Sequence, residues 1–294
     1  MDRSIIMLTN DRIHVEIDPS YGGRVTSFWS EGEKGRIDWF VPTPKERRDP
    51  RRPLKTGMFP LVPFSNRIRD GTFMFQGRDF VLEKSGAANA HATHGHGCWN
   101  HWSIINKTKD SACIVFSHHK SDWPSSYQAS QQFVLDRNGL LVCLTVENTG
   151  VSTMPVGLGL HPFLPQRRRV TLKTEFRTIW PAGTDSIPVG WEPLPKEFNF
   201  STSKDLPGGL DTGFGDWNGE AMIAWPIDGI GLLIKASGQI DHAIIYTPID
   251  QDFFCFEPVT HPINAINLGA GMPIIGPGEK FEASVIYEPL MNGI

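Results

Sequence analysis

Gln131-Gln132-Phe133-Val134-Leu135-Asp136-Arg137-Asn138-Gly139-Leu140-Leu141-Val142-Cys143-Leu144-Thr145-Val146 is the stretch on which the fold class turns. Two β-rich runs, 131–135 and 140–146, flank Asp136-Arg137-Asn138-Gly139. An Asn-Gly pair between such runs marks the tight reversal of an antiparallel hairpin. Working outward, Phe73–Phe75 and Phe80–Leu82 flank Gln76-Gly77 and read as a second hairpin. Met154–Leu160, Val170–Leu172, Gly231–Lys235, Ala243–Tyr246, Phe253–Phe256 and Phe281–Tyr287 read as further short strands. No long run carries helical periodicity. With 29 Gly and 23 Pro punctuating these runs, the pattern predicts an all-β fold, a large antiparallel sandwich or barrel. No linker-like segment divides residues 1–294, which therefore read as one domain of a length that all-β folds reach undivided.

A hydrophobic share of 39% and a charged share of 20% describe an ordinary globular chain, not a disordered or fibrous one. The net charge of -4 gives no electrostatic reason for a nucleic-acid or anionic-membrane partner. Met1–Ile17 carries Asp2, Asn10 and Asp11 and has no sustained apolar core, so it does not read as a secretory signal. No apolar run approaches the ~20 residues of a membrane span. Cys98, Cys113, Cys143 and Cys255 are scattered and read as buried free thiols of a reducing, cytoplasmic compartment. Pro42–Lys55, centred on Arg47-Arg48-Asp49-Pro50-Arg51-Arg52, reads as a solvated loop, with anion binding as its functional alternative.

Two distant strings carry the chemistry: Gly159-Leu160-His161-Pro162-Phe163 and Phe254-Cys255-Phe256-Glu257-Pro258. Each places one titratable side chain at the end of an apolar run, with proline next. A lone histidine at a strand end is usually structural. Here, however, the carboxylate follows three apolar residues and is costly to bury unless it is paired or its chemistry is used. A histidine and a carboxylate presented in this way suit a general acid and a general base facing one pocket. Asn66-Arg67-Ile68-Arg69-Asp70-Gly71-Thr72-Phe73 adds polar groups suited to gripping hydroxyls.

In these residues the chain resembles the aldose 1-epimerases, the galactose mutarotase type, and especially their shorter bacterial members. Phe59-Pro60-Leu61-Val62-Pro63-Phe64-Ser65-Asn66-Arg67-Ile68, followed by Gly71-Thr72-Phe73 and Gly77, is similar to that family's N-terminal signature. Thr93-His94-Gly95-His96-Gly97 resembles its His-Gly segment, and His161-Pro162-Phe163 its His-Pro-aromatic segment. Thr184-Asp185 with Ile187-Pro188-Val189-Gly190, Leu210-Asp211-Thr212-Gly213-Phe214, Cys255-Phe256-Glu257-Pro258 and Pro277-Gly278-Glu279 follow the same pattern. The resemblance implies a β-supersandwich that binds a small-molecule sugar and needs no cofactor. In it His161 is the general acid and Glu257 the general base, while Asn66, Arg67, His94 and Asp211 hold the sugar. It departs in one place: the sugar-binding glutamine of the longer members has no clear counterpart, Gln239 being only the nearest.

His91, His94, His96, His101 and Cys98 are zinc-ligand types, but their spacing matches no familiar zinc pattern and no second Cys/His pair accompanies them. The expectation is no metal. His118-His119 reads as surface. No nucleophile elbow or phosphate-binding glycine loop is present. Arg167-Arg168-Arg169 reads as a solvated turn. Its alternative is a pocket-mouth contact for a phosphorylated or sulfonated sugar, which strand alternation would limit to Arg167 and Arg169. The expected reaction is mutarotation of a hexose, with carboxylate Glu257 taking the anomeric hydroxyl proton and imidazolium His161 protonating the ring oxygen. A non-catalytic sugar-binding or sensing protein on the same scaffold is the alternative, and it would not need both groups.

Overall fold

A computed structural model describes residues 5–33, 35–49, 54–84, 90–119, 121–269 and 271–291. The Asn-Gly hairpin is built as its sequence dictates. Strands Tyr127–Leu135 and Leu140–Asn148 pair antiparallel, with Leu135 opposite Leu140. The Asp136 carboxylate accepts hydrogen bonds from the backbone N–H groups of Asn138 and Gly139, an Asx turn that fixes the register. Gly139 is required there because a Cβ would lie 2.0 Å from the Tyr287 carbonyl oxygen. Along both strands alternate residues are buried, the period of a sheet with one face in a core.

That hairpin lies inside a nine-stranded sheet ordered Ser103–Lys107, Ser111–His118, Tyr127–Leu135, Leu140–Asn148, Lys280–Leu290, Ile230–Ala236, Glu220–Trp225, Thr171–Thr174 and Lys204–Asp205. An eleven-stranded sheet runs Ile6–Thr9, Ile13–Asp18, Arg24–Gly32, Met58–Leu61, Gly159–Pro165, Phe253–Val259, His242–Tyr246, Asp211–Gly215, Thr178–Trp180 and Glu192–Pro193, with Gly35–Asp38 paired to Arg24–Gly32. The main core contains Phe133, Val142, Leu144, Val285 and Tyr287 of the first sheet and Leu160, Leu164, Phe254, Phe256 and Phe214 of the second. Phe254 meets Trp225, and Phe40 meets Tyr287 edge-on at 5.2 Å. The fold is the large antiparallel β-sandwich that the sequence pattern predicts. Among the described residues the only α-helical turn is Ala265–Leu268.

Gly159–Pro165 and Phe253–Val259 are buried on both faces. Even-numbered residues face the main core. Odd-numbered Phe163, Phe253, Cys255 and Val259 join Phe59, Leu61, Ile187 and Ile244 in a second apolar cluster on the outer face. This double cover explains why these strands read as unbroken apolar runs rather than alternating ones.

Several expectations are corrected. Met154–Leu160 is not one strand but breaks into Met154–Pro155 and the start of Gly159–Pro165. In between, the N–H groups of Val156, Gly157 and Leu158 go to Pro273, Pro63 and Thr260, three separate segments. His161 and Glu257 are not at strand ends, because each strand continues through its proline. Arg48 is not solvated: it is buried against Glu16 and Asp18, at 2.5 and 3.3 Å. Pro50, Arg51 and Arg52, and the anion site read there, lie outside the described residues. Cys98 and Cys255 are buried, whereas Cys113 and Cys143 are only half-buried. His118 is buried, its ring stacked on His96 at 3.9 Å.

Candidate active site

Strands Gly159–Pro165 and Phe253–Val259 pair through Gly159↔Val259 and again through Phe163–Pro165 against Cys255–Phe253. Between these two stretches the ladder is interrupted, and the interruption holds His161, Pro162, Glu257 and Pro258. Proline has no N–H to give to a ladder. Two prolines on facing strands therefore open the sheet at one place. The register across the gap puts His161 directly opposite Glu257, and directly opposed residues project from the same face. His161 Nε2 stands 3.3 Å from Glu257 Oε1, and both side chains are buried.

His161 is held from several sides. Phe59 is its partner on the neighbouring strand, with ring centroids 4.5 Å apart, and Phe163 stacks on it at 4.7 Å. His94 meets it edge-on at 5.1 Å. Behind Phe59 lies Arg24, buried and without a carboxylate partner among the described residues. Its guanidinium sits 4.7 Å from the Phe59 ring centroid and 4.5 Å from that of Tyr21, and its Nη1 donates to the carbonyls of Leu54 and Thr56. Burial without a counter-charge lowers the Arg24 pKa to about 10.

Arg67 Nη2 pairs with Asp211 Oδ2 at 3.0 Å and donates through Nη1 to Asn66 Oδ1 and the Ser186 carbonyl. Both partners of this pair are only partly buried, so they form the wet side of a dry site. Asn66 is buried; besides accepting from Arg67 it receives the His94 backbone N–H at 2.8 Å. The loop around His94 is further suspended from Val62, whose carbonyl accepts from His96 and Gly97. Loop 182–190 closes another side, with Asp185 paired to Arg69 and Ile187 buried in the outer cluster. The structure thus brings together all six residues singled out from the sequence. It adds Phe59, Tyr246, Cys255 and Arg24. Cys255 and Tyr246 were within reach of strand periodicity, since Cys255 precedes Glu257 by two and pairs with Tyr246.

Burial dominates the electrostatics. Desolvation raises the Glu257 pKa well above 4.5; the Asp211 carboxylate adds to this and Arg67 opposes it. Desolvation pushes His161 well below 6.5, and His94 and Arg24 push it the same way. His94 falls to about 3 through burial and then the charges of Arg67 and Arg24. The site therefore favours a pair carrying one proton in total. Its neutral form and its imidazolium–carboxylate form differ only in where that proton sits. The expected imidazolium–carboxylate pair is one of these two forms.

The histidine cluster does not converge on one point. His91 Nδ1 accepts from the Asp70 N–H, His94 belongs to the site, and His101 is exposed. His96 and His118 approach Asp122 closely enough to share an ion. Their rings, however, are stacked within 3° of parallel, with His96 Nδ1 on the Tyr127 hydroxyl and His118 Nε2 on Asp122. One nitrogen of each ring is therefore already taken by a protein partner. Arg167, Arg168 and Arg169 lie in a loop rather than a strand. Arg167 pairs with Asp228 and Arg169 with Asp205, both beside the nine-stranded sheet. Gln239 is exposed in the turn after Ile230–Ala236. No helix is long and apolar enough to cross a membrane among the described residues.

Comparison with known proteins bears on the fold and the family. A family model described as aldose 1-epimerase matches residues 4–288. The uncharacterised protein YphB of Escherichia coli (strain K12) is 29% identical over 290 residues, spanning 94% of this chain and 96% of YphB. An aldose 1-epimerase candidate from Escherichia coli K12, known from its crystal structure, superposes with a TM-score of 0.87 at 26% identity, covering 97% of this chain and 98% of its own. The GalM/aldose epimerase homologue of C. elegans gives a TM-score of 0.85 at 15% identity, covering 99% of each chain, a likeness of fold alone.

Proposed function

The chain belongs to the aldose 1-epimerase family, and from that premise we propose that it interconverts the α and β anomers of a neutral hexose by acid–base ring opening. The observation that carries this reading is the opposed pair, His161 Nε2 and Glu257 Oε1 at 3.3 Å, with both side chains buried. Mutarotation needs one group to take the anomeric hydroxyl proton while another supplies a proton to the ring oxygen. Glu257 takes the first and His161 gives the second. The C1–C2 bond of the open aldehyde then rotates, and closure on the other face returns both protons. The total charge of the pair is the same before and after, which suits a site that penalises net charge. His94, lacking a charge, donates or accepts a hydrogen bond to oxygen without competing for the proton. Arg67, Asp211 and Asn66 grip the hydroxyls. A binding or sensing protein would gain nothing from the costly buried pair.

The test is anomer-resolved NMR or polarimetry on freshly dissolved glucose and galactose, with and without the protein. Acceleration at catalytic protein concentrations is expected. Equal rates with and without protein for a panel of neutral and anionic aldoses would remove the enzyme reading.

The pKa directions set the pH dependence. The acid limb is the gain of a second proton by a pair whose histidine is held well below 6.5. The alkaline limb is loss of the shared proton, from a carboxyl held well above 4.5. Activity of chelator-treated protein should therefore hold from pH 7 through 6.5 and fall only at clearly lower pH. An acid midpoint at or above 6.5 would contradict the site's dryness. Substrate charge gives a further test: because Arg167 and Arg169 already hold carboxylates away from the pair, Arg167→Ala and Arg169→Ala should leave kcat/KM within about twofold, a surface-level effect. A tenfold loss confined to sugar phosphates or sulfonates would restore the anionic substrate class.

A further inference from the structure

Cys255 is a buried thiol beside the proton-transfer pair that ring opening does not use. We propose that His161, Cys255 and Glu257 form an inhibitory zinc site, in which a captured Zn²⁺ occupies both proton-transfer atoms and excludes the sugar. The inhibition, though not the metal binding, rests on the proton-transfer reading above.

The placement follows from the strands. Cys255 and Glu257 are two apart on one face of Phe253–Val259, and His161 faces Glu257 across the ladder gap. One ligand atom of each, imidazole nitrogen, thiol sulfur and carboxylate oxygen, lies within 4.8 Å of the others. This N, S, O set suits zinc. The observed Nε2–Oε1 distance of 3.3 Å is also the edge of a tetrahedron built with Zn–N and Zn–O bonds of about 2.0–2.2 Å, roughly 3.3 Å. The corresponding edge to sulfur is about 3.6 Å, so Cys255 closes any remaining distance by a small rotation of its side chain. All three residues are buried. Glu257 Oε2 and His161 Nδ1 have no hydrogen-bond partner among the described residues, which leaves ligand capacity unspent in a dry site. The ligands stand on central strands, so the site needs little ordering to bind. The His96–His118–Asp122 group lacks a thiol and has its rings stacked and engaged, and does not compete.

Binding is coordination without electron transfer. The thiol proton of Cys255 and the shared proton of the pair leave to solvent, and three protein ligands leave a fourth position for water. With His161 Nε2 and the Glu257 carboxylate bound to the ion, neither can move a proton.

The experiment uses the full chain treated with EDTA and dialysed. Zinc chloride is titrated while anomer exchange is followed by NMR, and cobalt chloride is titrated in parallel by absorption. Zinc at micromolar concentration should lower the rate at least tenfold, with EDTA restoring it. Cobalt should give an intense thiolate-to-metal band in the near ultraviolet. Cys255→Ala and Cys255→Ser should abolish the band and weaken zinc inhibition at least tenfold, each judged against its own zinc-free rate, while His118→Ala should change neither. Absence of the cobalt band in the wild type, or its survival in both Cys255 variants, overturns the proposal. If no aldose is turned over yet the band forms and depends on Cys255, the metal site stands and the mutarotase reading falls. Turnover that zinc leaves untouched sinks the inhibitory site alone.

Discussion

Glu257→Gln should slow mutarotation by about 10²–10⁴, and His161→Asn or His161→Gln by a similar factor, the range for loss of a positioned acid or base. Glutamine keeps the shape of Glu257 but cannot take the anomeric proton. Asparagine at 161 can still donate a hydrogen bond but cannot pass its proton to the ring oxygen. Both changes leave a neutral side chain where the native site already disfavours charge, so the fold should survive, which circular dichroism and thermal melting would verify. The two groups serve one ring-opening step. The double variant should accordingly be no worse than the slower single variant, because members of one catalytic unit are strongly non-additive. Wild-type rate constants in either single variant would strip that residue of its role, and multiplying losses in the double variant would mean that the two work independently.

Gly95→Ala should be the most damaging substitution to stability near the site. Gly95 has φ of 69°, and a Cβ there would lie 2.0 Å from the Val62 carbonyl oxygen and 2.4 Å from its carbon. Left-handed backbone costs a non-glycine residue roughly 1–2 kcal/mol, and displacing backbone to relieve the overlap adds about 1–3 kcal/mol. The total of about 2–5 kcal/mol corresponds to a fall in Tm of roughly 3–8 °C at this size. Because His94 hangs from the same loop, kcat should fall as well. Gly77→Ala separates the two causes: its φ is 76° but nothing lies within 4 Å of the added atom, so only the backbone strain is felt. A Gly95→Ala protein melting with the wild type would show that the Val62–Gly95 contact can open without cost.

What could be read from the sequence was what is local. The Asp136–Gly139 turn carries its own instructions in one carboxylate and one glycine, and the alternation of its strands needs no knowledge of the partner sheet. The break after Pro155 was hidden because Val156, Gly157 and Leu158 find their acceptors in Pro273, Pro63 and Thr260. Pro162 and Pro258 read as terminators because one strand alone cannot reveal that the facing strand carries a proline within the same gap in the ladder. His118 read as surface because its ring stacks on His96, and Arg48 because Glu16 and Asp18 precede it by some thirty residues. His161, Glu257, Asn66, Arg67, His94 and Asp211 were legible through family resemblance. Arg24, stacked behind Phe59, has no sequence signal beyond its two preceding glycines.

The strand Lys280–Leu290 lies in the middle of its sheet, clasped between Leu140–Asn148 and Ile230–Ala236. On the ribosome this makes the sandwich a structure that cannot close until late. Leu140 must wait for Tyr287, and at about 5–20 residues per second that is roughly 7–30 s. Throughout this interval the edge of Leu140–Asn148 that Lys280–Leu290 will cover stands open to other chains, as does that of Ile230–Ala236 once it is made. Such a nascent chain is a natural client for holding chaperones and a ready nucleus for aggregation when translation outpaces them. Yield in a heterologous host should therefore be governed by the pace of synthesis more than by the stability of the finished sandwich.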